Sequence, residues 1–170
     1  MISPQRLSII CLTLLLFVVG CTVQPLHSTG DEAASASADI SINPVDTRLE
    51  QQVRNRLIFL LNGGGENPVQ SRFAASLSVK SQSTNLFKVG IDDSDTDTTA
   101  TRLTITGTLI LTDTSNEDAT KTFVRVAHAS YDRTSQFFAN SRAQINAEDR
   151  AAAVLAEELR NLVLVYVKAQ

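Results

Sequence analysis

The chain has 170 residues, a formal net charge of −3, and 43% hydrophobic and 19% charged residues. This length fits one modest domain, and the mildly acidic balance without a basic tail argues against nucleic acid as a partner. With two histidines, two cysteines and no tryptophan, the chain also offers few nucleophiles, general bases or soft metal ligands.

An apolar run near the N-terminus ends at Gly20-Cys21. The run, over residues 7–19, is shorter than the roughly 20 apolar residues that a transmembrane helix needs. A small residue directly before a cysteine, at the end of such a run, is typical of a bacterial lipoprotein signal peptide. We therefore predict a signal peptide over residues 1–20 and lipid attachment to Cys21. The alternative is an ordinary signal peptide or membrane anchor in which this cysteine has no role.

Cleavage before Cys21 would change both the cysteine count and the net charge. It removes Cys11, so the mature chain keeps one cysteine whose sulfur carries lipid, and no disulfide is predicted. It also removes Arg6 and no acidic residue, so the formal net charge goes from −3 for the full chain to −4.

Residues 21–37 are predicted to form a flexible tether that precedes a single domain over residues 38–170. The tether is rich in Ser, Ala, Thr, Gly and Asp and has no periodic apolar pattern, a composition that cannot bury enough surface to fold. Ile40 and Ile42 then alternate with polar neighbours ahead of Pro44. This alternation indicates a short first strand.

A capping box predicts the start of the first helix, with Thr47 at the N-cap and Glu50 at the third helical position. Apolar residues then recur at helical spacing: Leu49, Val53, Leu57, Leu60 and Leu61. The pattern stops at Asn-Gly-Gly-Gly over residues 62–65, which is a helix terminator followed by a loop.

Three strands are predicted after this helix, because apolar and polar residues alternate. The first covers residues 73–79, and the second, rich in β-formers on both faces, covers residues 103–112. The third covers residues 123–130, with Val124, Val126 and His128 on one face and Phe123, Arg125 and Ala127 on the other. Residues 81–100 are predicted to form a long loop. Four apolar residues within it can continue a strand into the loop: Leu86, Phe87, Val89 and Ile91. The three strands indicate an antiparallel meander.

A second helix of about 20 residues, or roughly 30 Å, is predicted after an N-cap at Asn146. Glu148 and Asp149 fall in its first turn, where the helix dipole favours anions. One face is continuous and apolar: Ala152, Leu155, Leu159, Leu162, Val163 and Tyr166. The end of the helix, residues 162–167, is apolar nearly all round, so we expect burial on more than one side, within the domain or against a partner.

Phe137 and Phe138 lie in the predicted loop before this helix. Large aromatic side chains are mostly buried, so we predict that they fill the core. The alternative is an exposed anchor.

The predicted order β-α-β-β-β-α indicates an α+β fold, a two-layer sandwich with two helices on one face of a four-stranded, mostly antiparallel sheet. The other face must then be polar or covered by something else. The threonine-rich outward side of the strand at residues 103–112 fits a wet face or a polar partner.

No set of catalytic residues is recognisable in the sequence. His27 lies in the tether, and His128 lies on a strand among apolar residues, which is typical of a structural histidine. The triglycine at residues 63–65 is followed by Glu66 rather than by lysine, so it is no phosphate-binding loop. We predict neither enzyme activity nor a cofactor.

An acidic segment has part of the spacing of a calcium loop, with aspartates at positions 93, 95 and 97. The sixth position of such a loop requires glycine and the twelfth requires glutamate. Here they are Thr98 and Thr104, so a solvated acidic loop is the preferred interpretation and no metal site is predicted.

The stretch from the last strand into the last helix is rich in cations: Lys121, Arg125, Arg133, Arg142 and Arg150. Guanidinium groups pair bidentately with phosphate. Arg125, Arg133 and Arg142 are therefore candidates for contact with an anionic head group. The alternative is an ordinary solvated surface.

The second half of the chain resembles the LptE family of lipopolysaccharide-assembly lipoproteins. The likeness is carried by Arg-Val-Ala-His-Ala-Ser-Tyr-Asp at 125–132, Ser-Gln-Phe-Phe-Ala-Asn at 135–140, Ala-Glu-Asp-Arg-Ala-Ala at 147–152 and Leu-Ala-Glu-Glu-Leu-Arg at 155–160. The Val-Arg-Asn-Arg-Leu helix at 53–57 and the Leu-Thr-Ile strand at 103–105 fall in the family's order. The likeness covers most of residues 38–168. The family's common Cys-Gly-Phe start is replaced here by Cys21-Thr22-Val23, and the acidic segment lies outside the pattern.

The resemblance implies an outer-membrane lipoprotein that sits as a plug inside a large β-barrel, LptD, and helps deliver lipopolysaccharide to the cell surface. It implies a fatty-acid anchor such as palmitate on Cys21 and lipopolysaccharide phosphates as the ligands of the arginines. It does not imply catalysis. Thr22, which is not aspartate, fits release to the outer membrane, with the domain on the periplasmic side or inside the barrel. The alternative is an auxiliary lipoprotein of an ABC-type lipid transport system, whereas an envelope hydrolase is disfavoured by the missing catalytic set.

Overall fold

The computed structural model describes residues 40–89 and 98–169. Cys21, His27, Ile91 and the aspartates of the acidic segment lie outside the described residues, so the predictions made for them stay predictions. The elements in chain order are β1 (Ile40–Ile42), α1 (Arg48–Leu61), β2 (Phe73–Val89), β3 (Thr98–Asp113), β4 (Asn116–Arg133) and α2 (Phe137–Val167). The predicted order and the α+β fold class are confirmed.

The four strands form one sheet in the order β1-β2-β3-β4. β1 runs parallel to β2, with Ile40 opposite Phe73, because α1 carries the chain back between them as a crossover connection. The other two pairs are antiparallel neighbours in sequence. This is the predicted meander with one parallel strand added at its edge.

The predicted capping box forms at the start of α1. The Thr47 hydroxyl accepts a hydrogen bond from the Glu50 N–H at 3.2 Å, and a Glu50 carboxylate oxygen accepts from the Thr47 N–H at 3.2 Å. The other carboxylate oxygen accepts from the Val79 N–H of β2 at 3.1 Å. The Val79 hydrogen bond, followed by the one that the Thr47 hydroxyl donates to the Glu50 carboxylate at 2.8 Å, lowers the pKa of Glu50 because both favour the charged form. Glu50 therefore caps the helix and also provides a hydrogen-bond acceptor for the backbone N–H of Val79 on β2.

The strands are longer than the alternation predicted. β2 continues to Val89 and β3 begins at Thr98, so most of the loop expected over residues 81–100 is paired strand. The residues of β2 beyond Lys80 are polar on both faces as far as Asn85, so they show no apolar alternation. Their backbone pairing with β3 holds them in the sheet.

The second helix begins earlier than predicted. α2 has 31 residues and its N-cap is Gln136, without a side-chain cap, whereas Asn146 lies inside the helix and accepts a hydrogen bond from Arg150. The start is held instead by Asn140, whose side chain bonds both the N–H and the carbonyl of Thr134, at 2.7 and 2.6 Å. No glycine or proline interrupts residues 137–146, so nothing stops the helix from extending back to Phe137.

The core lies between the two helices and one face of the sheet. Its large, fully buried side chains come from β1, α1, β3 and α2: Ile40, Ile42, Val53, Leu57, Leu61, Leu103, Ile105, Leu109, Leu111, Leu155, Leu159 and Val163. A Cβ atom at Gly107 of β3 would lie 2.8 Å from Cδ2 of Leu155, so the missing side chain lets α2 pack closely on the sheet.

The helices run in the same direction and are joined by polar contacts at their surface. Arg48 pairs with both Glu148 and Asp149 at 2.9 Å, and Arg56 pairs with Glu157 at 3.0 Å. Exposed pairs of this kind contribute little stability. They place the start of α1 beside Glu148, so the first turns of α2 extend beyond α1.

The end of α2 is buried on more than one side, as predicted, by contacts within the domain, while Val165 stays 71% exposed. Val163 is fully buried, and Leu162, Leu164, Tyr166 and Val167 pack partly buried against the core. The Tyr166 ring meets the Phe123 ring edge-on, with centroids 5.8 Å apart. Among the described residues, no helix is long and apolar enough to cross a bilayer.

Candidate functional site

The two helices cover one face of the sheet, and none of the described residues covers the other. Its central part, called here the open face, consists of four rows that cross β2, β3 and β4. The rows are Ser76–Ile110–Thr122, Ser78–Thr108–Val124, Lys80–Thr106–Val126 and Gln82–Thr104–His128. The prediction that the second face is polar or needs a cover therefore holds, and most of its side chains are uncharged.

The two faces of β4 divide as the alternation predicted, and the structure decides which one is covered. Phe123 and Ala127 are buried beneath α2, whereas Val124 and Val126 lie on the open face with 48% and 43% of their surface exposed. His128 is exposed on the same face, with Nδ1 3.0 Å from the Thr104 hydroxyl. His128 therefore has a hydrogen-bond partner and lies exposed, because none of the described residues covers its face of the strand.

An apolar patch of Ile110, Val124 and Val126 lies on the part of the open face formed by β3 and the edge strand β4. Ile110, with 39% exposure, stands opposite Thr122 and is thus the diagonal neighbour of Val124, within reach of its side chain. Thr108 and Thr106 of β3 stand opposite Val124 and Val126 and add methyl and hydroxyl groups beside the patch. Among the described residues of the four rows, Lys80 is the one side chain with a fixed charge.

The predicted anion-binding arginines do not form one cluster. Arg125 and Arg133 are eight positions apart on β4, which corresponds to about 26 Å along a strand. Arg125 donates to the carbonyl of Val124 at 3.0 Å. Arg133 ends β4 and Arg142 lies in the second turn of α2, so these two belong to the same end of the domain.

Phe137 and Phe138 are the first residues of α2 and are 78% and 84% exposed. Their rings contact each other edge-on, with centroids 5.8 Å apart. The prediction that they fill the core is wrong. They belong to the part of α2 that extends beyond α1, the other helix of the described residues, so α1 does not enclose them.

The described residues contain no group of three or more His, Cys, Asp or Glu side chains that could hold a metal ion. What the structure offers is two surfaces suited to binding. One is the neutral open face of the sheet. The other is the end of the domain that carries Arg133, Arg142 and the two exposed phenylalanines.

The sequence matches the family model LptE, described as lipopolysaccharide-assembly, over residues 37–163. This range includes all four strands, α1 and most of α2. No sequence among curated proteins matches the chain significantly.

Two solved structures are similar in fold. A candidate lipoprotein from Caulobacter crescentus CB15 has a TM-score of 0.63 and 19% identity, with 81% of this chain and 96% of that chain covered. The rare lipoprotein B from Shewanella oneidensis has a TM-score of 0.53 and 14% identity, with 77% of this chain and 96% of that chain covered. At these identities the likeness shows the shared fold.

Proposed function

The chain belongs to the LptE family of lipopolysaccharide-assembly proteins, and from this membership we propose that it is an outer-membrane lipoprotein that docks as a plug inside the LptD barrel. In that position it helps deliver lipopolysaccharide to the cell surface. It acts by binding rather than by catalysis. The observation that carries the proposal is the family match over residues 37–163, which covers nearly the whole described domain.

The anchor is the lipid on Cys21. Eighteen residues, 22–39, separate this cysteine from the first described strand, and at about 3.3–3.6 Å per residue they span at most roughly 60 Å. This reach lets the domain enter a barrel while the lipid stays in the adjacent leaflet.

Depletion of the protein tests the assembly role. We expect the amount of properly folded LptD to fall and lipopolysaccharide to accumulate before it reaches the surface, because the barrel loses its plug. Folded LptD is measured by its heat-modifiable mobility in gels, and surface lipopolysaccharide by labelling of intact cells. Normal surface lipopolysaccharide after depletion would remove this role.

Copurification distinguishes the second candidate, an auxiliary lipoprotein of an ABC-type lipid transporter. A single outer-membrane barrel in the purified complex supports the assembly role. An inner-membrane permease in its place supports the transport role.

Arg133 and Arg142 are proposed to contact lipopolysaccharide phosphates, with Arg125 as a third, separate candidate. Arg133 and Arg142 belong to the same end of the domain, and neither side chain forms an ion pair or hydrogen bond with the described residues. The exposed phenylalanines beside them supply apolar surface that suits the acyl chains of an amphiphile.

Replacing all three arginines by glutamine should weaken binding of lipopolysaccharide to the purified protein by about tenfold or more at low salt. Loss of charge-assisted phosphate contacts is the reason, and salt screening should shrink the difference. Isothermal calorimetry or surface plasmon resonance measures it. The double variant with Arg133→Gln and Arg142→Gln should already show most of this loss of lipopolysaccharide affinity.

Lys121→Gln is the control for the arginine variants, since it removes one charge from the same strand β4. Its affinity should stay within about twofold of the wild-type value. If the triple variant bound lipopolysaccharide as tightly as the wild type, these arginines would be an ordinary solvated surface. The assembly role would remain.

A further inference from the structure

We propose that the outer edge of β4, together with the adjacent side of α2, binds a second copy of this chain about a twofold axis beside Val126. The two edges pair antiparallel, so that two sheets of four strands become one sheet of eight. The proposal concerns the lipoprotein by itself and goes beyond its proposed role in lipopolysaccharide assembly.

The first observation is the open edge of β4, which is the last strand of the sheet. In an antiparallel pair, alternate residues turn their N–H and C=O groups away from the neighbouring strand. On β4 these are the even-numbered residues, because the carbonyls of Val124 and Ser130 accept hydrogen bonds from arginine side chains rather than from β3. Among the described residues, none bonds the outward N–H and C=O of Val126, which lies between them. Such an edge is a template for a further strand.

The position of α2 along β4 is fixed at two points. Arg150 donates to the carbonyl of Ser130 at 2.7 Å, and the ring of Tyr166 contacts that of Phe123. From position 150 to 166 the helix rises about 24 Å, and from position 130 to 123 the strand spans about 23 Å. The two elements therefore run side by side, and the centre of their overlap falls at Val126 on the strand.

Two exposed valines lie on α2 on either side of this centre. Glu158 is the helical residue at the centre, and Val154 and Val165 lie before and after it. At about 100° per residue the two valines share one side of the helix, within about 20° of each other. They point more than about 100° away from Arg160, which donates to the carbonyl of Leu60 on α1 at 3.1 Å. The valines therefore form an apolar stripe on the side of α2 that α1 does not cover.

A twofold axis beside Val126 brings these features into register. Val126 then stands opposite Val126 of the second copy, and Val124 stands opposite His128. Because α2 and β4 overlap as described, Val154 of one copy comes level with Val165 of the other. Each α2 covers β3 and β4, which are about 4.8 Å apart, so the two α2 helices would lie about 10 Å apart. This is close to the usual separation of packed helices.

The charges around the axis complement those of a second copy. Arg125 lies on the helix side of β4, and neither Arg125 nor Glu158 forms an ion pair with the described residues. In the pair, the two copies of Arg125 are diagonal neighbours, and Glu158 of each copy lies at their level on α2. Two positive and two negative side chains therefore meet. The other charges of β4 between positions 119 and 133 fall opposite neutral residues: Lys121 opposite Tyr131, Asp132 opposite Thr120 and Arg133 opposite Ala119.

The shape of this surface favours a second copy over other occupants. An extended peptide would pair with the edge but would leave the valines of α2 exposed, and a closed barrel has no free edge to pair. The surface is about 25 Å long and about 20 Å high, or roughly 500 Å² as a flat area. A stable pair of proteins buries about 800 Å² on each partner, so we expect a reversible dimer that forms as the concentration rises.

The first test is disulfide trapping of the full-length lipoprotein in phospholipid vesicles under mild oxidation. Val126→Cys should give a linked dimer, because directly opposed residues have Cα atoms about 5.5 Å apart and a disulfide spans about 4.4–6.8 Å. The matched control is Val124→Cys, which is exposed on the same strand but lies about 13 Å along the strand from its own copy. The wild type supplies the background from Cys21.

We expect at least ten times more dimer from Val126→Cys than from Val124→Cys. Equal yields, or a larger yield from Val124→Cys, would overturn the pairing.

A charge exchange tests the contact of α2. Glu158→Arg and Arg125→Glu should each raise the Kd of the dimer at least fivefold at low salt, because each places like charges around the axis. The variant that carries both changes should return to within about twofold of the wild type. Sedimentation velocity in detergent measures the Kd, and each variant should melt within about 3 °C of the wild type, as surface substitutions do. Weakened single variants without recovery in the combined variant would contradict the contact.

Hydrogen exchange of the unmodified lipoprotein identifies the occupant of the edge. The amide of Val126 should exchange quickly in dilute samples and at least tenfold more slowly once the dimer forms. Slow exchange in the monomer would mean that another segment of the same chain covers the edge. A monomer at every concentration, or a photo-crosslink from position 126 to a different protein in cells, would likewise overturn the inference. In each of these cases the proposed function would stand, since depletion tests it separately.

Discussion

Leu159→Ala is expected to lower the free energy of unfolding by about 2–5 kcal/mol, because it removes buried methyl groups and leaves a cavity. Leu159 is fully buried in the cluster that joins α2 to α1 and to the sheet. For a domain of this size the loss corresponds to a fall in Tm of about 6–20 °C. Thermal unfolding followed by circular dichroism measures it.

Val165→Ala is the control for this prediction. Val165 lies on the same helix but is 71% exposed, so its truncation should change stability by no more than about 0.5 kcal/mol. An unchanged Tm for Leu159→Ala would show that this face of α2 does not form the core.

Cys21→Ser should abolish incorporation of labelled fatty acid, because a serine hydroxyl does not replace the thiol that receives the lipid. Stable membrane anchoring takes more than one acyl chain or an equivalent second signal. Without its acyl chains the mature chain therefore loses its stable anchor. The variant should therefore appear in the soluble periplasmic fraction, except for molecules retained by the barrel. Metabolic labelling with radioactive palmitate and fractionation measure the two effects.

The sequence supplies its own control for the anchor. Cys11 lies within the apolar run and should be removed with it, so Cys11→Ser should leave labelling unchanged. Undiminished labelling of Cys21→Ser, or loss of labelling in Cys11→Ser, would contradict the assignment of the anchor.

The exposed phenylalanines show where local pattern ceases to be informative. Phe137 and Phe138 look like core residues by type, and nothing in their immediate neighbours contradicts that. Their exposure follows from the different lengths of two helices: α1 begins beside Glu148, and the first turns of α2 extend past it. The candidate arginines behave likewise, since Arg125 and Arg133 are close in sequence terms but far apart along an extended strand.

The sequence by itself determined those features that depend on interactions within a few residues. The capping box of Thr47 and Glu50, the glycine stop after α1, the alternation of β3 and the order of elements are of this kind, and with them the fold class. Family membership was also recognisable, because it rests on residue order.

Only the tertiary structure decided which face of β4 is covered, where α2 begins and which cations share one end of the domain. Both faces of β4 carry apolar residues, so alternation alone is symmetric between them. The position of α2 breaks that symmetry, because Gly107 lets the helix pack closely on one side of the sheet. The valines of the other side are exposed because, among the described residues, both helices pack on the same face of the sheet.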